Sequence, residues 1–469
     1  MNGPAGDNQA EPIRLEGFAD RDLYQRREKI FTRFVGGFYQ RLRFFTGWPL
    51  LAGYFLLPWL DWGGRQAVLF DLPARQFHIL GITFWPQDLW LLGWLLIIAA
   101  FGLFTFTTLV GRIWCGYTCP QTVWTAIFMW CEQVAEGERH QRIRLDQAPW
   151  SFEKLRKRGF KHAMWLGVAL LTGLTFVGYF TPIRELAVDL LVFDAHPWAM
   201  FWVAFFTAAT YVNAGWMREQ VCIYMCPYAR FQSAMFDQDT LIVSYDAARG
   251  EPRGARKRSA KQEELELGDC IDCTLCVQVC PTGIDIRDGL QYQCIGCAHC
   301  IDACNQVMDK MGYEPGLIRY TTETELAGGR THWLRFRSVG YAIALLVMMT
   351  AFTYAVLTRN ALEVDVLRER GELYQLVDGR VVNQYRLRLL NKTQQPATVA
   401  VSVESALPMT IEPTEPVVLA PNELLDLSLI LSAPASAVTA PNSEVTIRLC
   451  DTDTGRCDTE ATRFLGPTP

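Results

Sequence analysis

Several common functional signatures are missing from this chain of 469 residues. No Gly-x-Gly-x-x-Gly turn stands between a strand-like and a helix-like segment, so a flavin or nicotinamide dinucleotide has no recognisable cradle. Histidine is scarce, at six residues. No Cys-x-x-Cys-His occurs, and His78, His162 and His196 lie near the ends of apolar runs at depths that do not pair, so no haem is expected. Lysine and arginine form no face interleaved with aromatics, and the net charge is only -5, which argues against nucleic acid as a partner. The first 40 residues are charged and carry no apolar h-region. No cleavable signal is therefore expected, and the first apolar span is expected to serve as the insertion signal.

Hydrophobic residues, by contrast, make up 50% of the chain. Five apolar stretches, 44–60, 86–110, 162–180, 197–217 and 338–357, approach or exceed the roughly 17–25 residues a helix needs to cross a bilayer. The first is short and broken by Pro49 and Pro58. Positive residues gather before it (Arg26, Arg27, Lys29, Arg33, Arg41, Arg43) and in the loop 139–161, whereas the loops 61–87 and 181–196 hold few. Cytoplasmic loops hold the excess of Lys and Arg, so the N-terminus is expected inside. Alternate counting then puts 218–337 inside and all that follows 357 outside. From about residue 360 the chain turns to alternating apolar and polar runs, 385–390, 398–403, 424–431 and 444–450, separated by Pro, Asn and Asp turn signals. That pattern predicts a small β-sandwich.

Cysteine is the conspicuous surplus, at 15 residues. Eight fall in two runs, Cys270-x2-Cys273-x2-Cys276-x3-Cys280-Pro281 and Cys294-x2-Cys297-x2-Cys300-x3-Cys304. In such runs three thiolates wrap one cubane cluster while the fourth sits too far round and reaches the other. Crossed ligation is expected: Cys270, Cys273, Cys276 and Cys304 around one 4Fe-4S cluster, and Cys294, Cys297, Cys300 and Cys280 around a second. A structural zinc ion needs only four such ligands, fewer than the two runs supply. His299, between Cys297 and Cys300, is expected either to hydrogen-bond cluster sulfur or to face solvent. Clusters exchange single electrons, so the module needs a donor, another protein or a quinol, and an acceptor.

A second pattern is duplicated, as Cys115-Gly-Tyr-Thr-Cys119-Pro120 and Cys222-Ile-Tyr-Met-Cys226-Pro227, each closing a pair of apolar spans. Residues four apart share a helix face, and Pro after the second cysteine suits the first turn of a new helix. Cys119 and Cys226 are thus expected at helix starts, where thiolate is stabilised. Convergence of the two pairs would make a soft site, with Met225 close by, that suits Cu(I). Simple packing of small apolar side chains is the alternative, and it is the expectation for Cys131. Cys450 and Cys457 flank the turn-rich Asp451-Thr-Asp-Thr-Gly455 and are expected to pair as a disulfide on the oxidising side.

Longer strings carry a resemblance: Gly64-Arg-Gln-Ala-Val-Leu-Phe70, Trp114-Cys-Gly-Tyr-Thr-Cys-Pro120, Cys226-Pro-Tyr-Ala-Arg-Phe-Gln-Ser-Ala-Met-Phe236, Cys280-Pro-Thr-Gly-Ile-Asp-Ile286 and Tyr292-Gln-Cys-Ile-Gly-Cys297. On these the chain resembles the CcoG family, also called FixG or RdxA, accessory proteins for assembly of cbb-type cytochrome c oxidase. The resemblance implies a bacterial inner-membrane protein that reduces Cu(II) to Cu(I) for the oxidase. Cys115, Cys119, Cys222 and Cys226 would handle the copper, with copper-handling proteins and oxidase assembly factors as partners and the electron donor unidentified. It also implies that the sandwich is immunoglobulin-like and periplasmic.

The expected fold is a multi-domain membrane protein, an α-helical region of five spans with an inserted bacterial-type ferredoxin domain and a C-terminal immunoglobulin-like β-sandwich. In order, 1–43 is a cytoplasmic tail, 44–217 a four-helix membrane region, 218–337 the cytoplasmic ferredoxin-like domain, 338–358 the fifth transmembrane helix and 359–469 the periplasmic domain. Two other classes fit the same residues: a quinol dehydrogenase-type membrane subunit, and a redox sensor or assembly scaffold.

Overall fold

The computed structural model describes residues 29–259, 266–369 and 373–467. Its N-terminal region is helical: α1 (Phe38–Leu56), α2 (Leu89–Val110), α3 (Ile113–Tyr117), α4 (Pro120–Glu136), α5 (Arg139–Gln147), α6 (Phe152–Val177), α7 (Ile183–Leu191), α8 (Pro197–Thr210) and α9 (Pro227–Met235). Helices α10 (Leu275–Gln278) and α11 (His299–Met311) belong to a ferredoxin-type unit, and α12 (Phe336–Leu357) leads to a β-sandwich.

Among the described residues three helical segments are long and apolar enough to cross a membrane, Pro86–Val110, Phe152–Val177 and Phe336–Leu357. They mark a membrane protein. Along α12, Ile343, Leu346, Val347 and Met349 stand exposed, the surface a helix offers to lipid rather than to water. The expected stretches 44–60 and 197–217 are not among the three, and their helices have other bounds. Helix α1 starts at Phe38, six residues before the apolar run, takes in Arg41 and Arg43, and ends at Leu56. Helix α8 has 14 residues and passes into a π-helical stretch, Tyr211–Met217. Helix ends follow backbone chemistry, whereas the apolar run follows only side-chain transfer energy, and here the two fall out of register.

Helices α6 and α8 meet closely because Gly173 has no side chain: a Cβ there would lie 2.6 Å from Thr207 Oγ1 and 2.8 Å from the Val203 carbonyl. Small residues let helix backbones approach where lipid offers no hydrophobic drive. Below this contact lies a buried ionic group. Glu132 of α4 pairs with Arg142 of α5 at 3.2 Å and with Arg218 at 2.6 Å, and Glu136 pairs with Lys161 of α6 at 2.8 Å. Charges this deep persist only when paired, so the group fixes how α4, α5, α6 and the π-helical stretch sit together. Cys131 packs there with Phe128, Trp165, Ala169 and Ala214.

Between α1 and α2 the chain forms two small sheets, the hairpin β1 (Asp61–Trp62) and β2 (Arg65–Gln66), and the meander β3 (Val68–Asp71), β4 (Gln76–Ile79) and β5 (Ile82–Phe84). The ferredoxin-type unit pairs β6 (Ile242–Tyr245) with β7 (Ile318–Thr321) antiparallel. Its core holds Val243, Ile284, Ile286, Ile301, Met308 and Leu317 beside the cysteines. Residues 33–40 strap this unit to α1. Arg33 N–H donates to the Gln278 carbonyl at 2.8 Å, and the Asp302 carboxylate accepts from the Tyr39 and Gln40 N–H groups at 3.2 and 2.8 Å. Asp302 thereby satisfies two of the open donors at the start of α1.

The sandwich packs β8 (Leu362–Arg368), β9 (Gln375–Val377), β10 (Arg380–Asn391), β12 (Thr410–Glu412) and β14 (Leu424–Pro434) against β11 (Ala397–Ser405), β13 (Val417–Leu419), β15 (Asn442–Asp451) and β16 (Cys457–Leu465). Alternation along β10 sends Val381, Tyr385, Leu387 and Leu389 into the core. Asp88, at the start of α2, holds the sandwich in place through Arg359 at 2.6 Å and Lys392 at 3.3 Å.

Candidate metal centres

The two cysteine runs fold alike. Asp272 and Thr274 in the first run, and Gly296 and Ala298 in the second, are left-handed, with φ of 51°, 55°, 66° and 60°. These positions are two and four residues after the first cysteine of each run. Alternating handedness curls a loop into a concavity lined by backbone N–H groups. Two cavities result. One is lined by Cys270, Cys273, Cys276 and Cys304. The other is lined by Cys276, Cys280, Cys294, Cys297 and Cys300. Cys280 thus stands with the second run and Cys304 with the first, the placement that crossed ligation requires.

Burial pushes the Cys276, Cys294 and Cys304 thiols up to about 12, so thiolate there requires bound cationic metal. Among the described residues no three His, Cys, Asp or Glu side chains are close enough to hold a single metal ion. The cysteines surround a space rather than a point, which fits a cubane better than zinc. His299 does not face solvent. Its ring hydrogen-bonds Gln40 Oε1 at 2.6 Å and the Arg43 guanidinium, so it belongs to the joint with α1.

The duplicated cysteines stand next to this unit. Cys119 and Cys226 are the residues immediately before α4 and α9, each followed by Pro at the first helical position. Cys115 lies in α3 and Cys222 in a π-helical turn, Val221–Met225. The expected sharing of one helix face is therefore corrected. A residue before Pro is pushed out of the α region, and Cys119 and Cys226 are accordingly at ψ 127° and 109°. Each pair straddles a helix break. All four thiols nevertheless share one neighbourhood. Burial pushes Cys115 up to about 12, with Cys119, Cys222 and Cys226 adding to the rise and Arg112 opposing it. They are grouped more loosely than a single ion requires. Cys115 Sγ donates to Gln232 Oε1 at 3.3 Å, and the fully buried Gln232 reaches Thr107 Oγ1 at 3.4 Å.

The helix that carries Cys115 touches the second cluster loop through backbone. A Cβ on Gly116 would lie 2.7 Å from the Gly296 carbonyl oxygen and 3.0 Å from Cys297 Cα. Tyr320 donates to that same carbonyl at 2.6 Å and bonds Tyr117 at 3.2 Å. Arg112 completes the joint, donating to the carbonyls of Tyr292 at 2.5 Å, Cys294 at 3.1 Å and Ala229 at 2.6 Å. Sequence reasoning missed Arg112, Gly116, Gln232 and Tyr320. The one signal for Arg112 was its place, three residues before Cys115, where an arginine reads simply as the flank of a span.

Three family models match: a 4Fe-4S dicluster domain over residues 217–323, an IG-like fold at the C-terminal of FixG over 352–467, and a 4Fe-4S binding domain over 92–133. The chain is 40% identical over 420 residues to the nitrogen fixation protein FixG of Rhizobium meliloti, covering 81% of this chain and 80% of that one. The chain belongs to the FixG/CcoG/RdxA family. It is also 41% identical to the protein RdxB of Cereibacter sphaeroides, covering 90% of this chain and 88% of that one, and 41% identical to RdxA of the same organism, covering 82% and 84%. This FixG homologue is therefore an iron–sulfur protein of electron-transfer type, with a FixG-type IG-like domain. The model over 92–133 includes Cys115 and Cys119, so an iron–sulfur description extends to the first thiol pair. In the sandwich, Cys450 and Cys457 face each other on β15 and β16 and are joined by a disulfide.

Proposed function

We propose that this FixG homologue takes electrons through two crossed-ligand 4Fe-4S clusters and reduces Cu(II) to Cu(I) at the thiol group of Cys115, Cys119, Cys222 and Cys226. The reduced copper would serve assembly of the copper centre of a cbb-type cytochrome c oxidase. One observation carries this reading: Gly116, between Cys115 and Cys119, lies in backbone contact with the loop of Cys294 and Cys297. Bound clusters would supply one electron at a time, and each Cu(II) needs one. The chain's own residues bring the acceptor to the wire and offer soft sulfur to the soft ion that forms. Gln232 holds the Cys115 thiol, and the Cys-Pro breaks turn both pairs toward one place. The proposal places the ferredoxin-type unit in the bacterial cytoplasm and the sandwich in the periplasm, with five membrane crossings that include α1 and α8. Reduction of the clusters falls to a protein or quinol donor, and copper-handling and oxidase assembly proteins take the product.

The match of a 4Fe-4S model to 92–133 favours a second reading, in which the same four thiols hold iron–sulfur rather than copper. Iron and sulfide analysis of anaerobically purified protein separates the two. About eight of each supports two cubane clusters and leaves the thiols to copper. About twelve of each overturns the copper assignment.

A further inference from the structure

Arg112 is 7% exposed, and among the described residues no carboxylate lies within ion-pair distance of it. Burying an unpaired cation is costly. Its three hydrogen bonds go to neutral carbonyls, and its Nε has no hydrogen-bond partner. The rings of Tyr292 and Phe236, 5.1 and 6.0 Å from the guanidinium carbon, cover it without supplying charge. Holding three carbonyls together does not by itself call for a full positive charge. Its position points instead to the two sulfur sites: the same guanidinium joins the carbonyls of Tyr292 and Cys294 in the second cluster loop to that of Ala229, three residues after Cys226, and Arg112 itself stands three residues before Cys115.

We infer that Arg112 is a positioning residue for electron exit, a buried charge set between the Cys280, Cys294, Cys297 and Cys300 centre and the four-thiol group, making that centre the one from which electrons leave. This rests on the proposed acceptor, but the electrostatic half stands without copper. A cation beside a cluster favours its reduced, more negative form. The other centre has no contact with Arg112 and holds Cys273, which is exposed, so it faces the side from which a donor arrives.

The test is a redox titration of the holoprotein followed by electron paramagnetic resonance, with the two signals assigned using Cys273→Ser and Cys297→Ser proteins. Arg112→Gln should lower the midpoint potential of the Cys294-side centre and leave the other unmoved, while Arg112→Lys, which keeps the charge, should hold both near wild type. Unchanged potentials in Arg112→Gln protein with full iron content overturn the inference, as does an equal shift in Arg112→Lys. Should Arg112→Gln lose iron, Arg112→Lys decides: wild-type potentials uphold the charge role, and iron loss there too contradicts it. A shifted potential with no copper reduction in any protein, wild type included, would reject the copper reading and leave this one standing.

Discussion

Replacing Gly116 with alanine tests the joint between the thiol group and the ferredoxin-type unit. The added methyl would sit 2.7 Å from the Gly296 oxygen, 2.9 Å from its carbonyl carbon and 3.0 Å from Cys297 Cα. All three are backbone atoms, so no side chain can swing away and the loops must part by several tenths of an ångström. Overpacking of this kind costs about 1–3 kcal/mol. At 1.4 kcal/mol per tenfold, the docking equilibrium constant falls by a factor of about 5 to about 150, and the transiently opened population rises accordingly. Gly36→Ala is the control, because nothing lies within 4 Å of a Cβ there. Two readouts are expected to move in Gly116→Ala and not in the control: faster amide exchange over residues 292–298, and slower reoxidation of reduced clusters by Cu(II). Iron content should stay at the wild-type level. Exchange and reoxidation both at wild-type values would refute the claim that this contact joins the two sites.

Two further outcomes are expected. Cys280→Ala should damage the centre whose other cysteines follow residue 290, because Cys280 lines that cavity with Cys294, Cys297 and Cys300; loss confined to the Cys270 and Cys273 centre would contradict crossed ligation. Burial, then Arg65, holds the His78 imidazole down at about 4 against an ordinary 6.5, so the folded form binds fewer protons than the unfolded between those values. Its contribution is full above about 6.5 and is lost as pH falls toward 4, so the β3–β5 sheet should become more susceptible to proteolysis from pH 7 to 5. A His78→Gln protein should lack that pH dependence, and an identical pH profile would refute the assignment.

The parts of this molecule that local chemistry dictates were legible in its sequence. Cysteine spacing marked both cluster loops, because three thiolates two residues apart can only wrap one centre. Period-two alternation from residue 385 onward marked the sandwich. The meander at 68–84 carries similar alternation, but its strands are only three or four residues long and its place between two apolar runs makes it read as a loop. Four-residue spacing alone puts each Cys pair on one helix face, but Pro also pushes the cysteine before it out of the α region, so each pair lies across a break. Long-range features left no local trace. The Asp302 carboxylate on the start of α1, the Gly116 contact with Gly296, and Arg112 reaching residues 180 and 182 positions away depend on how finished elements meet.

In the proposed mechanism, electrons held on the ferredoxin-type clusters leave through the four-thiol group. The direct measurement is anaerobic addition of Cu(II) to holoprotein with both clusters chemically reduced, following cluster reoxidation and Cu(I) capture by a chelator together. About one Cu(I) per electron is expected, hence about two per protein carrying two one-electron clusters, with loss of both signals in a Cys222→Ala, Cys226→Ala protein whose clusters remain spectroscopically intact. Equal reoxidation and equal Cu(I) yield in that double variant would contradict it.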